Sequence, residues 1–342
     1  MLGLGYLIER GYGIMDKRVI RDCDIFAHNV KVANDIYWFD GSYTATAFAA
    51  SVNEPVSAES LKRVKKIISS NTGFLSTLGD TSVRIVVAAS LVKSDDPVGR
   101  LNGIKSAYAA LKKYFMSSEY LALAAVIIFE SDLDIDITAK RTREIYEMMK
   151  KNHRLITSYE DIATCALMAV SGKNPEELIE ESEKCFMLLK NGFKSRSDLQ
   201  MLANTLAIYD APAEVKCNKV TEIRNLMKAR KLNLGSYNSS AVLAPLAVSA
   251  INGDVGQMIE DIADAECIMA SRKGTGGIFG VGKQLRTMFA VSIVSRIHSG
   301  EDTGSVNSAA SAIAAMIAEE IAITVTICAC AAASSSAAAS ST

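Results

Sequence analysis

The amino-acid sequence predicts an all-α protein, a right-handed α-α superhelix (solenoid) of about six helical hairpins with a capping helix at each end. Three observations carry that reading. Helix-turn-helix patterns return at a spacing of roughly forty residues, the period of two-helix repeats. Pro55, Pro97, Pro175 and Pro212 each follow an Asn or Asp in the same turn of the pattern, and only Pro245 falls elsewhere. The first helix of each hairpin is rich in small residues, as in Ala47-Phe48-Ala49-Ala50, Val87-Ala88-Ala89, Leu123-Ala124-Ala125 and Val242-Leu243-Ala244, so it is expected in a tightly packed inner layer.

Residues 1–14 stay outside the helical pattern and read as leader translated from upstream of a start at Met15, since the codons of Glu9-Arg10-Gly11 can spell a ribosome-binding sequence. Residues 15–41 supply a capping helix from Asp16 to Ile36, with Trp38 and Phe39 behind it. Residues 42–298 hold the hairpins, placed at 42–80, 81–118, 119–158, 159–197, 198–236 and 237–273, followed by a lone helix from Gln284 to His298 that opens a further unit. Residues 299–333 read as a loop and an Ala-rich closing helix, and 334–342 as a low-complexity Ala/Ser tail.

The unit from Tyr159 to Ser197 shows the grammar most fully. Ile162, Cys165, Ala166, Ala169 and Val170 recur three and four apart, on one helical face. The second helix opens at Asn174-Pro175-Glu176-Glu177, where Asn174 suits the N-cap, Pro175 the first helical position and Glu177 a capping box. Leu178, Cys185, Phe186 and Leu189 keep the period, and Gly192 is expected to close the helix in the left-handed conformation. Two units replace the proline turn with Ser131-Asp132-Leu133-Asp134 and Asn252-Gly253-Asp254.

Composition narrows the function. A hydrophobic content of 49% can bury a large core, and a formal net charge of -1 gives no global pull toward nucleic acid or an anionic membrane. The seven cysteines, among them Cys165, Cys185 and Cys267 at apolar helix positions, lack the spacing of a secreted disulfide framework, so a reducing cytoplasm is expected. The apolar start from Met1 to Ile8 is short and is followed by Glu9 and Arg10, unlike a signal peptide.

With the Gly79-Asp80 turn, the helices ending in Asp or Asn turns, the segment Gly282 to Ala290 and the Ala/Ser-rich end, the chain from Met15 onward resembles the bacterial family known as domain of unknown function 4003. The resemblance implies a helical, cytoplasmic protein and carries no catalytic residue.

The stretch from Arg272 to Lys283 breaks the short connections. Gly277 and Gly282-Lys283 approach the spacing of a phosphate-cradling loop, but Gln284 stands where Ser or Thr would hold magnesium and no strand precedes it. Arg272, Lys273, Gly277, Gly282 and Lys283 are therefore candidates for contact with an anion or partner, not for an NTPase. The second helices end in cations, Lys65 and Lys66, Lys112 and Lys113, Lys150 and Lys151, Lys190, Lys228 with Arg230 and Lys231, then Arg272 and Lys273, which stacked in register would form a basic ridge for an acidic peptide, RNA or phospholipid headgroup, or would simply complement the helix dipoles. Asp132, Asp134 and Asp136 open like a calcium loop, yet Ile137 and Arg143 occupy the glycine and glutamate positions it requires. Cys328 and Cys330 and the histidines His28, His153 and His298 sit in no metal or catalytic motif. Pro245 interrupts the helix Ser239 to Ala250, where a kink would open space near Tyr237 and Asn238. The reading is a cytoplasmic scaffold that binds another protein, without a cofactor, a metal or sequence-specific nucleic acid. A phosphate-binding protein or enzyme using 274–283 and a protein held to a membrane by its Ala-rich tail are the alternatives, the latter lacking the bulky apolar and basic residues of such anchors.

Overall fold

A computed structural model of the chain describes residues 15–36, 41–71, 81–234, 240–276 and 282–299. The helix starts are written in side chains. Ser57, Asp96, Ser118, Asp134, Asn174, Ser195 and Asp254 each accept a hydrogen bond from a backbone N–H of the helix that follows, satisfying a donor that has no intrahelical partner. Among the described residues there is no strand, and the α-helices number fourteen: α1 Lys17–Ile36, α2 Gly41–Ala50, α3 Ala58–Ser69, α4 Thr81–Val92, α5 Pro97–Leu111, α6 Glu119–Glu130, α7 Ile135–Asn152, α8 Ile162–Val170, α9 Pro175–Leu189, α10 Arg196–Ala207, α11 Ala213–Ala229, α12 Leu243–Ser249, α13 Val255–Ser271 and α14 Lys283–Ser299. Short 3-10 turns, Tyr159–Asp161 and Ser240–Val242, lead into α8 and α12.

The helices alternate between two layers. Odd-numbered ones bury one face, as α7 does with Thr138, Ala139, Thr142, Ile145, Tyr146 and Met149, and leave the other to solvent. Even-numbered ones have almost no solvent face. All of α8 is buried, and so is α10 from Asp198 to Ala207. A helix that is apolar all round belongs in the interior, and small residues let its neighbours approach. The inner layer expected from the alanines is therefore present.

The arrangement of the pairs differs from an open stack. Each outer helix packs most closely on the inner helix that follows it, α1 on α2, α5 on α6, α7 on α8, α9 on α10 and α13 on α14. Outer neighbours run α1, α3, α5, α7, α9, α11, α13, and α13 then packs against α1. Helix α14 also packs against α1. The expected capping helix at residues 15–41 is thus no cap: its core, Lys17–Ile36, is covered on both flanks and serves as the outer helix of a full pair. The physical reason lies in α1 itself, whose Val19, Cys23, Phe26, Ala27, Val30 and Ala33 form a stripe too wide for a single neighbour.

Two local expectations change. Gly172, not Gly192, takes the left-handed conformation, with φ 78°, where α8 ends. Pro245 is the third residue of α12, so its missing N–H falls in the first turn, where no intrahelical acceptor is waiting, and the 3-10 turn before it absorbs the break in pattern. The leader at 1–14, Trp38 and Phe39, Tyr237 and Asn238, and the expected closing helix and tail beyond Ser299 lie outside the described residues.

Candidate functional site

The connection after α13 is a latch. Arg272 Nε donates to Asp24 Oδ1 of α1 at 2.6 Å. Gly274 is left-handed, φ 99°, and lies against the backbone of Ala27 and Lys31. Thr275 is buried and donates its hydroxyl to Met269 O at 2.6 Å, while a Cβ on Gly276 would meet Ala270 O at 1.8 Å. Of the candidate contacts, Arg272 is consumed by the α1 junction, Lys273, Gly282 and Lys283 are exposed, and Gly277 lies outside the described residues. Arg286, one turn into α14, is tied to Glu266 Oε1 at 2.9 Å. Neither of two described cavities is lined by Lys283.

The basic ridge resolves into two sets of cations. One set fastens neighbours: Lys65 Nζ donates to Ile36 O at 2.7 Å, Lys113 pairs with Asp136 at 2.7 Å, and Arg230 pairs with Glu260. The other set, Lys66, Lys112, Lys151, Lys228 and Lys231, is exposed. On the turns after α5 and α7, these cations flank apolar tips. Met116 is 90% exposed and Leu155 98%, and the two turns are neighbours, with the Tyr120 and Tyr159 rings 6.0 Å apart. Lys112, Lys151 and Arg154 surround them in sequence and are exposed.

The other singled-out residues have structural work. Asp134 caps α7 through Ile137 N at 2.9 Å and Asp136 holds Lys113, so the calcium-like spacing is a capped turn. The ring nitrogens of His28, His153 and His298 meet Val56 O, Glu183 and Asp261 at 3.1, 2.7 and 3.0 Å. Cys267 is exposed, against the expectation of an apolar position, whereas Cys165 and Cys185 are buried.

Sequence reasoning missed two interior clusters. Between α7, α8 and α10, Gln200 Nε2 donates to Thr157 Oγ1 and to Asp161 Oδ1, both at 3.2 Å. Burial pushes the Asp161 carboxyl up to about 6, against the Ser158 backbone and Gln200 hydrogen bonds that lower it. Between α9 and α11, Lys216 is fully buried. Its ammonium donates to Leu206 O at 2.8 Å and Tyr209 O at 2.9 Å, at the C-terminus of α10, and pairs with Glu181 at 2.9 Å. Beside it, Cys217 Sγ lies 3.8 Å from Cys185 O. An open cleft of about 410 Å³, lined by Glu177, Glu181, Tyr209 and Pro212 among others, reaches the Lys216–Glu181 pair. A lysine inside an apolar helical stripe was the available signal for Lys216; no local pattern joins Cys185 to Cys217.

The sequence model of a family described as "Protein of unknown function (DUF4003)" matches residues 33–325. The chain belongs to that family. The DUF4003 match runs through every described helix from the end of α1 to α14, so the paired layers are a property of the matched region. A curated relative, "Uncharacterized protein YeaA" of Bacillus subtilis (strain 168), is 35% identical over 65 residues, which is 19% of this chain and 20% of the relative. The alignment thus spans about a fifth of the relative's length. No solved structure matches. Among the described residues, no helix is long and apolar enough to cross a membrane.

Proposed function

We propose that this DUF4003 protein is a cytoplasmic scaffold, a closed ring of helical hairpins that binds an acidic segment of another protein on the rim formed by the turns after α5 and α7. One observation carries the reading: Met116 and Leu155 stand almost wholly in solvent amid the exposed Lys112, Lys151 and Arg154. Apolar anchors ringed by one sign of charge favour a partner with apolar side chains and the opposite charge. The inner helices α8 and α10 are buried along their length and offer no concave groove, which moves the binding surface of this repeat protein to its rim. Arg272 of the latch takes no part, because its guanidinium is engaged with Asp24.

The test is capture of partners from cell extract by the full chain and by the double variant Leu155→Asp, Lys151→Glu, both checked for unchanged helicity. The expected result is a captured protein that elutes as salt rises and is lost with the variant. Equal capture by both chains, or elution independent of salt, would overturn the assignment to this rim.

A further inference from the structure

We propose that Cys185 and Cys217 are a reversible redox pair, oxidised to a disulfide by a hydroperoxide that enters through the cleft between α9 and the turn preceding α11. The inference rests on no part of the docking reading. The two cysteines sit on neighbouring outer helices that pack together, with Cys217 Sγ 3.8 Å from the Cys185 carbonyl oxygen, and both side chains are buried. Two thiols on packed neighbouring helices, one of them against the other's own carbonyl, are close enough in the fold for a disulfide to join them without bringing distant segments together. The neighbourhood also supplies the electrostatics of a reactive thiol. Lys216 precedes Cys217, is itself fully buried, and holds its ammonium on Glu181, one helical turn before Cys185. Glu181 lines the cleft of about 410 Å³, which brings solvent to within one helical turn of Cys185 and is the entry assigned to a small polar oxidant.

The two thiols are not equivalent. The hydrogen bond from the Cys217 thiol holds Cys185 below the usual thiol range against the penalty of burial, and the Lys216 ammonium adds to the lowering. The same hydrogen bond, with burial, pushes Cys217 up. Elsewhere burial alone dominates: it raises Cys23 to about 12 and raises Cys165 as well. On this assignment Cys185 is the nucleophile and Cys217 the resolving thiol. The Cys185 thiolate attacks the nearer peroxide oxygen and the O–O bond breaks. The departing oxygen takes up a proton and leaves as water or an alcohol, and Cys185 is left as the sulfenic acid. Cys217, giving up its proton, then attacks that sulfur. The S–O bond breaks and hydroxide leaves with the proton as water, so two thiols are oxidised and one hydroperoxide is reduced, yielding one disulfide, one alcohol or water, and one further water.

The experiment uses the full chain carrying Cys267→Ser, which removes the exposed thiol. It is treated with hydrogen peroxide, alkylated while unfolding, and mapped by peptide mass. The expected product is a Cys185–Cys217 cross-linked peptide that dithiothreitol resolves. In a Cys217→Ser chain, dimedone should label Cys185 at least ~10-fold faster than Cys23. Recovery of both cysteines as alkylated thiols after peroxide would overturn the proposal, as would labelling of Cys185 no faster than of Cys23. The first measurement needs no further substitution, so poor folding of the Cys217→Ser chain would not protect the idea.

Discussion

The junction of α1 with α13 and α14 and the junction of α7, α8 and α10 do the same job by different means. At the first, the touching residues lie far apart in the chain: Phe26 meets Phe289 with ring centroids 4.7 Å apart, and Cys23 Sγ donates to Ala265 O at 3.8 Å. Polar struts then set its register. Arg272 reaches Asp24, with side chains 36% and 50% exposed, and Arg296 reaches Asn53 at 2.5 Å. A cavity of about 20 Å³, room for one water, remains beside Phe26 and Phe289. At the second junction, short links bring the helices together and the polar groups are hidden, Gln200 to 1% exposure. Where the chain itself supplies proximity, the polar groups of an interface can be buried. Where it does not, loop closure must be offset by contacts, and solvated ion pairs give alignment at little desolvation cost.

The largest test of that contrast is Phe289→Ala. Removing a fully packed aromatic should lower stability by about 3–5 kcal/mol, and hydrogen exchange should rise in α1, α13 and α14 before it rises in α7 to α10. Uniform loss of protection would show that the two junctions open as one. Next is the pH dependence of the interior junction. With the Asp161 carboxyl raised from 3.8 to about 6 by burial, the folded state holds that proton more tightly than the unfolded chain. Its stabilising contribution is full below about pH 4 and is lost as pH rises through about 6, an effect of about 3 kcal/mol. Thermal melts at pH 5 and pH 8 should therefore differ less for Asp161→Asn than for the unaltered chain, and an unchanged difference would remove Asp161 as the cause. Smallest is a paired substitution in the latch. Gly276→Ala forces a Cβ into the Ala270 carbonyl and should cost about 1–3 kcal/mol, whereas Gly282→Ala, with open space around it, should leave the melting temperature unchanged. Equal effects would mean that the turn is not packed against the end of α13.

Much of the fold was legible because helix starts are marked by residues whose chemistry acts locally. Asn174 ahead of Pro175 and Asp96 ahead of Pro97 cap α9 and α5 as their sequence implies. Those same loud turns hid the frame of the packing. They separate an inner helix from the outer helix that follows, whereas the tighter pairing runs from each outer helix to the next inner one, across quieter turns. The junction of Phe26 with Phe289 was not legible at all, because no periodicity relates residues so far apart. Gly192 read as a left-handed stop on composition, but the carbonyl there accepts from Arg224 Nη1 at 2.9 Å in an ordinary turn. In the candidate site, the cations themselves were visible from helix ends alone. Which lysines are struts and which are free for a partner depends on where the next outer helix lies, and that is tertiary information.

The partnership of α1 with α14 has a consequence for synthesis. Among the described helices the apolar stripe of α1 is made first, and the phenylalanine that covers Phe26 belongs to the one made last. At roughly 5–20 residues per second, that side chain waits for on the order of tens of seconds with its final neighbour still unmade. The nascent chain must shelter this stripe by transient contacts or with a chaperone until the ring can shut.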